Sequence, residues 1–293
     1  MSNIIVFGAS GLLGSSLVPA LQILGYRVLT QGRGKGVDLC LDPSDFVDVT
    51  AALIKYRPAA IVNLVAATNV DQCEIQPELA WQANSSVVAA IVESILEVGR
   101  IGLFQPHLVH ISTDQVYEGL GEHLEEEVHP INVYGLSKYA GELLAERVGA
   151  SVLRTNFYGR SRCVGRISFS DWLVSSLKSG LPITVFDDVK FSAVHIDTLC
   201  DVIVRCIERR PAGIFNVGCR DSISKAEFAI TLAKILNLPI NQVTKGTSAQ
   251  VSLKARRPLD MSLNVSRLEK ILELQMPKIF SEIEYTAKEY LND

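Results

Sequence analysis

What the sequence has little of narrows the field first. Six cysteines are scattered through 293 residues (Cys40, Cys73, Cys163, Cys200, Cys206 and Cys219) with no Cys-x-x-Cys pair, so thiolate metal spacing is absent. His107, His110, His123 and His129 show no metal-ligand spacing, His195 reads as structural at a strand end, and no metal is expected. No stretch approaches the roughly 18 uninterrupted apolar residues of a membrane span, and no membrane partner is expected. Met1 runs straight into an apolar strand without a basic leader or cleavage site. The expectation is a cytoplasmic protein with free, mostly buried thiols. Broad positive charge is missing as well: the net charge of -4 and pI near 5.8 argue against a nucleic-acid partner. The only two tryptophans, Trp81 and Trp172, read as packing residues.

What is present is an ordinary globular composition, 48% hydrophobic and 20% charged, enough to bury a sizeable core. The first half alternates short β-branched runs with longer helix-like segments. Strands are expected at Asn3–Phe7, Arg27–Thr30, Ala60–Val65, His107–Ser112 and Ser151–Arg154. Helices are expected at Leu12–Leu24, Pro43–Tyr56, Pro77–Val98 and Tyr134–Arg147. The strands are continuously apolar rather than alternating, as a parallel sheet covered on both faces requires. The fold class is therefore α/β, a Rossmann-type doubly wound parallel sheet. Beyond Phe157 the regularity weakens into helices near 167–179, 198–208, 225–236 and 280–291, with strand-like pieces at 182–185 and 214–217. A smaller C-terminal lobe follows: 1–157 as the dinucleotide-binding domain, with a return segment near 191–217, and 158–293 mainly for substrate.

Gly8-Ala9-Ser10-Gly11-Leu12-Leu13-Gly14 joins the first strand to the first helix. Gly8 and Gly11 permit a tight turn close to a pyrophosphate, and Gly14 permits close packing of helix on sheet. The helix start then offers backbone amides and a favourable dipole to the phosphates. The alternative is a purely structural turn. At the end of the second strand stands Thr30-Gln31-Gly32-Arg33-Gly34-Lys35, with no carboxylate until Asp38. NADP(H) is favoured over NAD(H), with Arg33 on the 2′-phosphate, against the plainer reading of a basic surface loop.

Tyr134-Gly135-Leu136-Ser137-Lys138 places a phenol and an ammonium on one face of a helix. A neighbouring ammonium favours the phenolate, which makes the tyrosine proton transferable near neutrality. Thr113 follows a buried strand, where a hydroxyl can polarise a substrate carbonyl beside the tyrosine. Arg256-Arg257-Pro258 is a local basic spot suited to a nucleotide diphosphate, or else a surface turn. Arg160, Arg162 and Arg166 form a second basic loop that could also meet a diphosphate.

With these segments the chain resembles the dTDP-4-dehydrorhamnose reductase branch of the extended short-chain dehydrogenases/reductases. The resemblance is carried by Gly8–Gly14, Asn63–Asp71, Ala83-Asn84, Ser112-Thr113-Asp114, Tyr134–Lys138 with Gly141-Glu142, Arg154-Thr155-Asn156 and Arg257-Pro258. It implies catalysis by Thr113, Tyr134 and Lys138. It also implies cofactor contacts from Gly8, Ser10, Gly11, Leu12, Leu13, Gly14, Arg33, Ala66, Ala67, Thr68, Asn84, Tyr134 and Lys138. Asp71, Asp114, Gln115, Phe157 and Arg257 would face a nucleotide sugar. The implied reaction is NADPH-dependent reduction of a nucleoside-diphosphate 4-keto-6-deoxy sugar to a 6-deoxyhexose donor. Gln115 and Phe157 depart from the tyrosine and tryptophan usual in that branch, which leaves the hexose open. Gln115 also argues against a 4,6-dehydratase, whose Thr-Asp-Glu supplies a base that an amide cannot. A nucleotide-sugar epimerase with tightly held NAD(P), and a non-catalytic NADP-binding regulatory subunit, are the alternatives. A homodimer is one state the resemblance brings with it.

Overall fold

The computed structural model describes residues 2–32, 34 and 36–291. Six parallel strands form the central sheet: β1 (Asn3–Phe7), β2 (Arg27–Thr30), β3 (Ala60–Asn63), β4 (His107–Ile111), β5 (Ser151–Thr155) and β6 (Gly213–Val217). Their spatial order is β2-β1-β3-β4-β5-β6. The order reverses between β1 and β3, so the loops leaving those two strands diverge and open a crevice at the carboxyl edge.

Nearly every residue of β1 and all of β3 and β5 are buried, as sheet strands covered on both faces must be. Helices α1 (Gly14–Ile23) and α6 (Ile196–Arg209) cover one face. Helices α2 (Phe46–Tyr56), α3 (Val87–Arg100) and α4 (Val133–Glu146) cover the other. α2, expected from Pro43, starts at Phe46, where the Asp45 side chain caps it by accepting from Val47 and Asp48 N–H at 2.8 and 3.1 Å.

The helix expected over Leu12–Leu24 begins only at Gly14, because the preceding residues make the turn out of β1. The long helix expected from Pro77 is interrupted. Pro77–Trp81 is α-helical, Gln82–Ser86 winds as a π-helix, and α3 continues to Arg100. The wider turn accommodates an extra residue, a device concentrated at functional sites. Pro77–Arg100 is long and apolar enough to cross a membrane by composition, yet it packs as a core helix against α2 and α4.

The rest of the chain builds a lobe beside the carboxyl edge. It holds α5 (Phe169–Lys178), α7 (Lys225–Ile235), α8 (Ile279–Leu291) and short strands, including a parallel pair of Ile183–Phe186 with Val243–Gly246. Phe228 centres its core, with Tyr158, Phe169 and Phe191 rings at 4.6, 5.6 and 5.6 Å between centroids. A short parallel pair, Phe157–Tyr158 with Val194–His195, ties the lobe to the chain leaving β5.

Candidate active site

The chain leaves β1 through Gly8 in the left-handed region (φ 77°). A Cβ there would stand 3.0 Å from the Val65 nitrogen, so glycine allows the loops after β1 and β3 to meet. A Cβ on Gly14 would drive into the Ala9 backbone. α1 has neither a side-chain cap nor an acidic residue in its first turn, which leaves its N-terminal dipole open to an anion.

Gln31 at the end of β2 is buried. Its Oε1 accepts the Gly8 N–H at 3.1 Å and its Nε2 donates to the Leu41 carbonyl at 2.9 Å. The residue following the second strand thus fastens the glycine loop. The Asp38 carboxylate accepts the Thr30 N–H and hydroxyl at 2.9 and 2.7 Å, and those bonds hold it below the usual carboxylate range. Arg33 lies outside the described residues.

Two connected cavities follow the carboxyl edge. One of about 770 Å³ runs from Cys40, Asp42 and Asp48 past Gly8, Ser10 and Gly11 to Ala66, Ala67 and Ala83. The other, of about 300 Å³, collects Leu12, Leu13, Gly14, Thr68, Thr113, Asp114, Gln115, Tyr134, Lys138 and Phe157. Gly8, Gly11, Leu64, Ala66 and Arg166 line both.

The catalytic-type residues are brought together by one tie. Asn132 caps α4 by accepting the Gly135 N–H at 2.8 Å, and its Nδ2 donates to Gln115 Oε1 at 3.2 Å and the Arg256 carbonyl at 2.9 Å. A Cβ on Gly135 would strike the Gln115 carbonyl. The start of α4 therefore seats directly on the turn after β4, with Tyr134 beside Thr113. Lys138, one turn on, donates to the Ile111 carbonyl at 2.6 Å.

Burial pushes the Tyr134 phenol up to about 12, with the Thr113 hydroxyl pulling the other way. Burial also brings Lys138 down to about 8, while Glu142 opposes it. The expected lowering of Tyr134 by Lys138 is not found in the protein alone: burial of the phenol dominates, and the group that opposes it is the Thr113 hydroxyl. Asp114 accepts from Asn156 Nδ2 at 2.9 Å, yet burial raises its carboxyl to about 6.

Behind this site lies a buried polar network. The Arg154 guanidinium clasps both Glu142 oxygens, the closest contact 2.6 Å, with neither side chain exposed to solvent. It also donates to the Tyr117 hydroxyl at 2.8 Å and the Glu125 carbonyl at 2.6 Å. Ser112, the neighbour of Thr113, donates to Glu142. Asn84, on the π-helical turn, accepts the Ala67 N–H at 2.9 Å. It lines neither cavity; it holds the Ala66–Thr68 loop from behind.

Asp71 and Arg257 pair with each other at 3.1 Å. Asp71 also accepts from the Lys254 and Ala255 N–H groups at 2.9 Å each. This ion pair sits apart from the walls of both cavities. Arg160 and Arg162, weighed as diphosphate contacts, are turned elsewhere: Arg162 forks onto Asp197 at 2.8 Å and Arg160 donates to the Glu289 carbonyl at 3.1 Å. His195, Asp197 and Glu289 offer ligand atoms within 4.8 Å of one another. The Arg162 guanidinium already supplies the positive charge there.

Motif reasoning passed over Asn132, Ser137, Asn156 and the part played by Gln31. An asparagine two residues ahead of the tyrosine is an N-cap signal. The others carry no local signal, because their partners are distant in sequence.

Glycine loop, strand-end threonine and Tyr-x-x-x-Lys helix on this sheet define the extended short-chain dehydrogenase/reductase class. Within it, the chain belongs to the family described as the RmlD substrate binding domain, whose model matches residues 1–292. Among curated proteins it is similar to the probable low-salt glycan biosynthesis reductase of Haloferax volcanii, 26% identical over 293 residues and covering 95% of each chain. Among solved structures it is similar to the dTDP-4-dehydrorhamnose reductase of Bacillus anthracis in complex with NADP, with TM-score 0.88, 28% identity and coverage of 98% and 99%. A hypothetical dTDP-4-dehydrorhamnose reductase of Sulfolobus tokodaii is 32% identical, with TM-score 0.81 and coverage of 95% and 97%.

Proposed function

We propose that the protein reduces the 4-keto group of a nucleoside-diphosphate 4-keto-6-deoxy sugar with NADPH, giving a 6-deoxyhexose donor. The observation that carries the reading is the meeting of Thr113, Tyr134 and Lys138 in one cavity that opens onto a glycine-floored cleft. That cleft fits a dinucleotide: Gly8 and Gly11 line its floor without side chains, and its helix end lacks a side-chain cap. Gly8, Ser10, Gly11–Gly14 and Ala66–Thr68 would hold the cofactor, which supplies the hydride. Asp38 is taken up by Thr30, which supports NADPH over NADH, with Arg33 on the extra phosphate.

Tyr134 gives its proton to the carbonyl oxygen as charge develops there, and Thr113 hydrogen-bonds the same oxygen. Lys138 sets the charge beside the phenol. Asp114, Gln115 and Phe157 face the sugar, and the amide at Gln115 leaves the site without the base that dehydration needs. Residues 1–157 with β6 serve the dinucleotide, and the C-terminal lobe serves the sugar. The product is a precursor of polysaccharide made in the cytoplasm.

The test follows loss of reduced-nicotinamide absorbance with dTDP-, GDP- and UDP-linked 4-keto-6-deoxy sugars, wild type beside Tyr134→Phe. Turnover with one sugar, abolished in the variant, is expected. NADPH binding without turnover across the panel would overturn the substrate class.

A further inference from the structure

Arg166 stands out because it lines both cavities and, among the described residues, its guanidinium has no partner. The segment carrying it crosses the cleft as a strap. The chain turns at Gly159 (φ 140°) and again at Gly165 (φ 77°), both in conformations that favour glycine. Its base is pinned to the lobe and to α6: Arg160 N–H donates to Glu289 at 2.8 Å, Ser161 N–H to Asp171 at 3.0 Å, and Arg162 forks onto Asp197. Its tip touches the glycine loop, where the Cys163 thiol meets the Ser10 carbonyl at 3.2 Å.

The position of the unpaired cation is informative. The wall shared by the two cavities is made of Gly8, Gly11, Leu64, Ala66 and Arg166. Gly8 and Gly11 are the floor that approaches a phosphate most closely. A dinucleotide spanning the cleft with its nicotinamide by Tyr134 would have its adenosine in the larger cavity and its diphosphate at the junction. The Leu12 and Leu13 amides ahead of α1 reach one side of that diphosphate. The opposite side would carry its remaining charge toward solvent unless a cation closed over it.

We infer that Arg166 is that cation: it closes over the cofactor diphosphate from the strap, opposite the glycine loop. This inference rests on the dinucleotide reading of the cleft. It assigns the arginine to the cofactor, not to the diphosphate of the sugar nucleotide. A guanidinium suits the task, because its fork matches phosphate oxygens and it stays charged at every working pH.

The experiment titrates wild type, Arg166→Gln and Arg166→Lys with NADPH by nucleotide fluorescence at two salt concentrations. Adenosine 2′-monophosphate, which has no diphosphate, serves as the second probe by competition. Arg166 is exposed in a loop, so its variants are expected to fold. Arg166→Gln is expected to raise the NADPH Kd about tenfold and flatten its salt dependence. Arg166→Lys should fall between, and the adenosine 2′-monophosphate Kd should change less than about twofold. An unchanged NADPH Kd in Arg166→Gln, whether or not KM for the sugar nucleotide rises, would overturn the inference and leave the reductase reading standing. Wild type that binds neither NADPH nor NADH would overturn the underlying reading, and the inference with it.

Discussion

Asn84 Nδ2 donates to Ser137 Oγ at 2.9 Å, joining the π-helical turn to α4 one residue before Lys138. Ser137 Oγ in turn donates to the Tyr134 carbonyl at 2.9 Å. A Cβ on Gly141 would collide with the Asn84 carbonyl, so the two helices touch backbone to backbone. The Ala66–Thr68 loop and the helix carrying Tyr134 are thereby fastened to each other.

Asn84→Ala should loosen that tie. It leaves the Ala67 N–H without its buried acceptor, while the Ser137 hydroxyl keeps the Tyr134 carbonyl and the Ala67 carbonyl keeps the Cys73 thiol. At about 1–3 kcal/mol for an unsatisfied buried group, a loss of about 2 kcal/mol is expected. Urea denaturation reads it, and a change under about 1 kcal/mol would show that the tie carries little.

Lys138 titrates near 8, so kcat/KM should fall above that pH as its ammonium is lost. The charged and titratable groups facing it are Glu142 on its own helix and His110 on β4, whose ring burial keeps neutral. Glu142→Gln removes the group that raises Lys138, so the high-pH limb should move toward lower pH. A limb that stays in place would assign it to another group.

The same Glu142→Gln change strands the Arg154 charge in a fully buried site. Breaking one side of such a pair is expected to cost about 3–5 kcal/mol, whereas replacing both partners by apolar residues of similar size is close to neutral. Comparing Glu142→Gln with the double variant Glu142→Leu/Arg154→Met by denaturation checks the contrast. Equal losses would place the destabilisation in packing, not in charge.

Asp114 offers a prediction of opposite sign. Its carboxyl is raised to about 6 in the folded protein against 3.8 for an ordinary aspartate. The folded state therefore binds the proton more tightly, and this group's stabilising contribution, complete below about pH 4, is lost as pH rises through 6. Two units correspond to about 3 kcal/mol. Asp114→Asn should be more stable than wild type at pH 7.5 by up to about that amount, with the gap closing toward pH 4, and should bind the sugar nucleotide less well. Thermal denaturation at both pH values decides it; a gap independent of pH would refute the assignment.

The strands were legible because apolar, largely β-branched residues dominate each run, and the glycine loop because it sits between such a run and a helix. The Tyr-x-x-x-Lys pair was legible because i and i+4 share a helical face wherever the helix goes. What stayed hidden depends on distant partners. Nothing near Gln31 announces that its amide will clamp Gly8, and nothing near Arg257 announces that Asp71 will take it. The π-helical turn was invisible because its cause, the seat for Asn84 against Ala67 and Ser137, lies in other segments.

The late return of the chain to its own sheet has a cost during synthesis. β5 is buried along its whole length, yet the strand that covers its edge, Gly213–Val217, is not made until α5 and α6 have emerged. At about 5–20 residues per second, a nascent chain exposes that edge for several seconds. Parallel pairing offers no hairpin shortcut to close it sooner. The ribosome-bound form, more than the finished protein, is where this chain is exposed to aggregation, and truncation before residue 213 would leave that hazard permanent.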